Sequence, residues 1–384
     1  MIEYCAGLNV RPDGLENQCN GNDCATLPVH AMETFQLFTE GDDLYASMLS
    51  AIVGAKESIR LECYIFADDA VGNRFCQALI ERAQAGIAVK VHIDAAGSLF
   101  WFSRKMQNHL RCNGVKLRWF HRWSWRRPWR YNRRNHRKML IVDGRVAFLG
   151  GFNIHQENSR EYYGDARWRD THVSFDGSLV DVAAQLFDAF WQGRLRWQPM
   201  QKEAGSRLLH NHTLTCRHRL RCVYGAAFDK AKTFIYLTTP YFVPDSHTLS
   251  QLRQAAERGV DVRLLVPGES DVRIARWAAR HIYASLLDSG VRIFEYLPRM
   301  LHAKTVVVDD NWSMVGTANL DYRSLFINYE LNLATADRGL AAELKVQFLQ
   351  DLSQSESIES QDWERRDGVS RWLERIAMMV KRWL

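Results

Sequence analysis

"HRKMLIVDGRVAFLGGFN" occupies His136–Asn153, and "HAKTVVVDDNWSMVGTAN" occupies His302–Asn319. The two align without a gap at an offset of 166, sharing the His, the Lys two residues on, the Asp seven residues on, a Gly and the final Asn. In each, the His and Lys head an apolar, β-branched run that meets a turn and returns as a second apolar run, the pattern of a β-hairpin. A period of two places His136 and Lys138 on one strand face, and His302 and Lys304 likewise. Asp143 and Asp309 have the opposite parity and fall at the turn, so they read as structural, although they complete the repeated motif. The return strands end in Gly150, Gly151 and Asn153, and in Gly316, Thr317 and Asn319, small or polar residues expected to let a phosphate approach the backbone.

Outward from the hairpins the repetition continues. "AKESIRLECYIFADD" (Ala55–Asp69) aligns with "AKTFIYLTTPYFVPD" (Ala231–Asp245) at an offset of 176. "AGIAVKVHID" from Ala85 resembles "RGVDVRLLVP" from Arg258, and "NGVKLRWF" from Asn113 resembles "SGVRIFEY" from Ser289. Apolar spacing predicts a helix over Asp43–Lys56, a strand over Ile59–Phe66, a helix over Asn73–Gln84, and strands over Val89–Ile93 and Val115–Trp119. Such alternation predicts an α/β fold: two pseudo-twofold-related α/β/α sandwich halves on largely parallel or mixed sheets, with a site where they meet. Residues 1–32 read as an N-terminal extension, 33–200 as the first half, 201–352 as the second, and 353–384 as a tail ending in an amphipathic helix.

The halves differ in one place. Gly114 to His136 spans 22 positions, whereas Gly290 to His302 spans 12. The surplus lies in "WFHRWSWRRPWRYNRRN" (119–135), which carries Trp123, Trp125, Arg126, Arg127, Trp129 and Arg130 and no acid. An addition to one copy is not required by the fold and is a natural place for function. Its cations point to a polyanionic partner, and indoles beside arginines suit the headgroup layer of an anionic bilayer. Arg133, Arg134 and Arg137 are expected to line the mouth of the site beside His136.

Two complete His/Lys/Asn sets supply what phosphodiester exchange needs. One imidazole can attack phosphorus while the other protonates the departing alkoxide. Lys138, Lys304, Asn153 and Asn319 can hold the non-bridging oxygens, a design that calls for neither metal nor organic cofactor.

The doubled HxKxxxxD motif, "HRKMLIVD" and "HAKTVVVD", resembles the phospholipase D superfamily. "GGFNI", "WRDTHV", "TPYFVPD" and "HAKTVVVDDNWSMVGTANLDYRSLFINYELNL" extend the likeness to bacterial cardiolipin synthases, over roughly residues 35 to 350. The chain is most similar to short forms without N-terminal transmembrane helices, whose donor and acceptor lipids are less uniform. The resemblance implies a bilobal fold, a phosphohistidine intermediate and transfer of a phosphatidyl group, phosphatidylglycerol being the expected donor, to a lipid headgroup hydroxyl. It implies His136 as nucleophile and His302 as general acid, then base, and it brings Asp143 and Asp309 into the catalytic set. Asp170 of "WRDTHV" and Glu330 of "NYELNL" match acids that orient the histidine of the opposite half. A lipid hydrolase differs only in letting water attack the intermediate; a nuclease of the same superfamily and a catalytically idle membrane-binding protein are the further alternatives, and nucleic acid is not the expected partner.

No apolar run reaches the ~20 residues of a membrane span, and the first thirty residues lack the pattern of a signal peptide. The expectation is a cytoplasmic protein, peripheral on the inner face of the cell membrane. "SRWLERIAMMVKRWL" at the C-terminus places Trp372 and Trp383 on one apolar helical stripe flanked by cations, a second candidate for the membrane surface. The eight cysteines show no CxxC pair. Even spacing of His210, His212, Cys216, His218 and Cys222 suggests one strand face, but ligands strung along a strand cannot close a zinc tetrahedron by themselves.

Overall fold

The computed structural model describes residues 33–126, 128–194, 205–211, 214–360, 363 and 368–379. In the first half β1 (Phe35–Phe38), α1 (Gly41–Val53), β2 (Ser58–Cys63), α2 (Ala70–Gln84), β3 (Ala88–Asp94), α3 (Arg104–Cys112) and β4 (Lys116–Phe120) alternate. The short helix α4 (Pro128–Tyr131) precedes the hairpin β5 (Met139–Val142) and β6 (Val146–Gly150). Then follow α5 (Arg160–Tyr163), β7 (His172–Phe175) and α6 (Ser178–Trp191). The second half repeats the plan. It comprises β8 (Ser206–His210), α7 (Leu214–Lys230), β9 (Phe234–Thr238), β10 (Phe242–Val243), α8 (Ser246–Glu257), β11 (Asp261–Pro267), α9 (Arg273–Leu287) and β12 (Arg292–Tyr296). The chain continues with β13 (Thr305–Val308), β14 (Trp312–Gly316), β15 (Leu320–Asp321), α10 (Tyr322–Phe326), β16 (Leu331–Thr335), α11 (Arg338–Leu352), β17 (Ser355–Ser357) and α12 (Gly368–Met379).

The first sheet runs β1-β7-β6-β5-β2-β3-β4 and the second β8-β16-β14-β13-β9-β11-β12-β17, so the strands correspond one for one until the extra edge strand β17. β2, β3 and β4 are parallel, as are β9, β11 and β12, while each hairpin adds antiparallel strands. Both sheets are therefore mixed. Helices α1–α3 cover the outer face of one sheet around Phe75, Leu79 and Leu110, and α7–α9 cover the other around Tyr224, Phe228 and Tyr283. Between the sheets, Ile141, Val173, Val307 and Leu333 share a single apolar core with α6 and α11. Burying two such inner faces against each other fixes the pseudo-twofold relation, because neither sheet leaves its apolar side in water.

Two sequence expectations need correction. His136 and Lys138 do not stand on β5; they lie in its extended lead-in, and His302 and Lys304 lead into β13 in the same way. The even His/Cys spacing after His210 is not a strand, since residues 214–230 form α7. Downstream, Leu220, Tyr224 and Phe228 recur every four residues and are buried, so a helical stripe overrides the local alternation. His212 lies outside the described residues, and among the described residues no His/Cys/Asp/Glu cluster is arranged to hold a metal ion.

Candidate active site

Each HxK lead-in pairs with backbone of the opposite half. His136 N–H donates to Tyr329 O at 3.0 Å, and Tyr329 N–H donates to Arg134 O at 2.8 Å. The twofold mate is the same: His302 N–H donates to Arg169 O at 2.7 Å, and Arg169 N–H donates to Met300 O at 2.8 Å. The residue after Tyr329 is Glu330 and the residue after Arg169 is Asp170, so these two bridges deliver a carboxylate to each imidazole. His136 Nδ1 lies 2.9 Å from Glu330 Oε2 and 3.1 Å from Thr317 O. His302 Nδ1 lies 2.5 Å from Asp170 Oδ2. Carboxylates and carbonyls only accept, so Nδ1 carries the proton in both rings and Nε2 presents a lone pair.

A cavity of about 520 Å³ lies where the halves meet, and His136, Asn153, His302 and Asn319 share it. Tyr64 packs edge-on against the His136 ring at 4.8 Å, and Trp168 tilts over the His302 ring at 5.2 Å. The first half contributes a largely apolar wall that includes Ile65, Ala96, Gly97 and Trp101; the second contributes a polar one, with Tyr241, Asp271, Asp321 and Arg323. Tyr241 Oη donates to both oxygens of Asp271 at 2.7 and 2.8 Å. Tyr241, Asp321, Arg323 and Trp168 lie within stretches that carry the family resemblance and Ile65 within a repeated segment, but Ala96, Gly97, Trp101 and Asp271 have no such cue in the sequence.

Lys138 and Lys304 are buried just behind the histidines, and each Nζ donates to the backbone carbonyl of its own motif's His, Lys138 at 2.9 Å. Burial, then the neighbouring Lys304, pulls Lys138 down to about 7. Burial likewise pulls Lys304 down to about 8. Burial lowers both histidines, His136 to about 4, and Lys304 adds to the lowering of His302. For Asp170, burial works against ionisation, but Lys304 and His302 outweigh it and hold the carboxyl below its ordinary range. The resting site thus holds two neutral imidazoles, and an anionic phosphodiester in the cavity would favour the charged forms of the lysines and imidazoles around it.

Asp143 and Asp309 are elsewhere. Both adopt positive φ, at 53° and 52°, at the far ends of β5 and β13. The Asp143 carboxylate accepts the backbone N–H groups of Lys56, Glu57 and Ser58, and the Asp309 carboxylate those of Lys232, Thr233 and Phe234. Each pins the loop entering the neighbouring strand and is separated from its imidazole by a four-residue strand and the lead-in before it, more than roughly 13 Å. Neither can touch a reacting group, which corrects their placement in the catalytic set. The glycines after the hairpins face the next strand rather than a phosphate: a Cβ on Gly151 would fall 2.0 Å from Asp170 Oδ1, and one on Gly316 would fall 2.3 Å from Asn332 Oδ1. Gly151 therefore makes room for the acid that meets His302. In the other half its place is taken by Thr317, whose Oγ1 donates to Glu330 Oε2 at 2.6 Å.

The connection that carries the insertion spans 121–138 between β4 and β5, ten residues longer than the 297–304 connection between β12 and β13. Trp119 belongs to β4 and packs on Phe102, so it is not part of the projecting loop. Trp123, Trp125 and Trp129 project, at 65, 77 and 68 % exposure, with the Arg126 guanidinium over the Trp125 ring. Arg127 lies outside the described residues, as does Trp383. Arg130 is exposed, while Arg134 stacks on Tyr131 at 3.8 Å. Arg137 does not reach the mouth: it is fully buried, 2.6 Å from Glu62. The insertion is tied to the cavity instead by Asn132, which accepts from Arg323. On α12, Glu374 and Ala377 face the body while Trp372, Ile376 and Met379 face outward.

The sequence matches the family described as "Cardiolipin synthase, PLD-like domain" over residues 48–191 and 224–352. The chain belongs to the PLD-like cardiolipin synthase family. Cardiolipin synthase 1 of Staphylococcus aureus (strain MRSA252) is 33% identical over 364 residues, covering 89% of this chain and 72% of that one. Cardiolipin synthase of Clostridium perfringens (strain 13 / Type A) is 32% identical over 362 residues, covering 90% and 75%. The fold is also that of a crystal structure of phosphatidylserine synthase from Haemophilus influenzae Rd KW20, at a TM-score of 0.71 with 13% identity, covering 91% of this chain and 95% of that one. Membership makes the protein a phospholipid phosphatidyltransferase. No helix among the described residues is long and apolar enough to cross a membrane.

Proposed function

We propose that the protein transfers the phosphatidyl group of phosphatidylglycerol to a headgroup hydroxyl of a second phospholipid, forming cardiolipin. His302 enters the cycle as the imidazolium, with a proton taken up from solvent at Nε2 while the anionic phosphodiester lies beside it and the Asp170 carboxylate stands behind it. His136 Nε2 attacks phosphorus as His302 passes that proton to the departing glycerol oxygen; His302 then takes the proton of the incoming hydroxyl, whose oxygen displaces His136, and the imidazolium is restored. Lys138, Lys304, Asn153 and Asn319 neutralise and orient the non-bridging oxygens, and Glu330 and Asp170 hold the two ring tautomers. The observation that carries this reading is the crossed pairing of two imidazoles with two carboxylates around one cavity. The largely apolar wall of Ile65, Ala96, Gly97 and Trp101 favours a lipid over a nucleic acid.

The protein works at the inner face of the cell membrane. The Trp123–Arg130 insertion supplies indoles at headgroup depth and cations for anionic lipid, with α12 as a second contact. Lipid mass spectrometry after incubation with phosphatidylglycerol, alone and mixed with phosphatidylethanolamine, tests the reading. Cardiolipin with released glycerol is the expected product. Phosphatidic acid alone would make the enzyme a hydrolase.

A further inference from the structure

The loop from β3 to α3, "AAGSLFWFS" (Ala95–Ser103), carries no charge and was given no role by its sequence. Leu99, Phe100 and Trp101 stand consecutively in solvent, Phe100 at 89 % exposure. The loop is nevertheless firmly built. Asp94 Oδ1 accepts from Ala96 and Gly97 N–H, Ser98 Oγ donates to Tyr64 O and accepts from Phe66 N–H, and Asp68 N–H donates to Trp101 O. Phe102 is buried beneath, against Phe66 and Trp119. Trp101 rests edge-on against His155 at 4.4 Å, but holding Leu99 and Phe100 in water on a hydrogen-bonded turn has no structural return, because neither completes the core.

Position supplies the reason. Ala96, Gly97 and Trp101 line the cavity that holds both histidines, so the exposed triplet continues the apolar wall outward. β3 and β4 are adjacent parallel strands, and the insertion leaves the end of β4 beside this loop: Ala95 N–H donates to Phe120 O, and Arg122 donates to Gln107 of α3. The second half has no counterpart, since β11 is followed by "GESDV" (268–272), with two acids. Both additions thus belong to the same half and the same strand ends.

We propose that Leu99, Phe100 and Trp101 form a wedge that enters the acyl boundary of the bilayer and holds the cavity mouth at the depth of the lipid phosphate. This rests on the reading of the cavity as a phospholipid site, and it assigns the two loops different work. The insertion reads surface charge, which salt screens; the wedge buries apolar area, which salt does not weaken.

The test uses the full chain and vesicles of phosphatidylcholine, alone or equimolar with phosphatidylglycerol, at low and high salt. The double variant Leu99→Ser/Phe100→Ser is expected to bind both vesicle types on the order of tenfold or more weakly, at either salt concentration. Phe100→Trp should bind like wild type, and all three proteins should turn over a short-chain phosphatidylglycerol below its micelle concentration equally. Wild-type-like vesicle binding by the double variant would overturn the proposal. So would binding by the wild type that salt abolishes entirely, or an equal loss on the monomeric substrate. A solution dimer dispersed by the Phe100 change would make the triplet a self-association surface instead. Failure of the wild type to form any transfer product would count against the cavity's assignment, not the wedge.

Discussion

Replacing Glu330 with Gln removes one charge at nearly constant shape and tests whether the crossed carboxylates act on the chemistry. At a charge separation of about 4 Å and an effective dielectric of about 20, a carboxylate and an imidazolium attract by about 4 kcal/mol. His136 becomes cationic as its Nε2 bonds to phosphorus, so this attraction is felt in the transition state and hardly at all by the neutral resting ring. The expected fall in kcat is therefore on the order of a thousandfold, with little change in binding. The surroundings refine the expectation. Thr317 O also accepts from His136 Nδ1, at 3.1 Å, so Glu330→Ala keeps a partner that enforces the right tautomer. A Gln amide can instead donate to Nδ1 and turn the ring's proton toward Nε2, which makes Gln at least as damaging as Ala. Among the described residues His302 has only Asp170 at Nδ1, so Asp170→Ala should lose both tautomer and charge. The assay is single-turnover release of glycerol from labelled phosphatidylglycerol, with circular dichroism to confirm the fold. Activity within about tenfold of wild type in folded Glu330→Gln would refute the reasoning.

Asp143→Ala should cost stability, about 1–3 kcal/mol for the backbone donors left unpaired, while kcat measured below the melting transition stays near wild type; a catalytically dead but stable variant would return Asp143 to the chemistry. Lys138 and Lys304 bind phosphate only when protonated, and their folded pKa values are lowered, so kcat/KM should decline as pH rises through about 7 and 8. Because bound phosphodiester favours the charged lysines, the alkaline limb of kcat should lie at higher pH than that of kcat/KM, and a coincident pair of limbs would contradict this. Activity on a detergent-dispersed substrate should survive a strong chelator; loss with EDTA, restored by one divalent ion, would oppose the all-protein charge design. Replacing Trp123, Trp125 and Trp129 with Ala should weaken vesicle binding, and changing Arg126, Arg127 and Arg130 to Gln should remove its dependence on anionic lipid, both read by cosedimentation.

Most of the architecture could be read from the repeat because a hairpin headed by His and Lys has a local pattern, and two copies place it in two sheets. The crossed partners followed from resemblance, whereas the physical cause is a pair of backbone bridges, at Tyr329 and Arg169, that no local pattern announces. Arg137 was misplaced because a cation beside basic neighbours looks exposed, and only the fold reveals Glu62 opposite it. The glycines of "GGFN" promised a phosphate cradle, but their close approach is to Asp170 and the neighbouring strand. Phe100 went unnoticed since one apolar loop in a chain rich in aromatics carries no period, and its meaning depends on the cavity beside it.

The central claim is a phosphatidyl group carried on His136. Rapid quenching with phosphatidylglycerol labelled at phosphorus, followed by proteolysis under alkaline conditions and peptide mass spectrometry, observes it directly. A label on the peptide containing His136, lost on chasing with acceptor lipid, is the predicted result. A label on the His302 peptide, or transfer at full rate with neither peptide labelled, would contradict it.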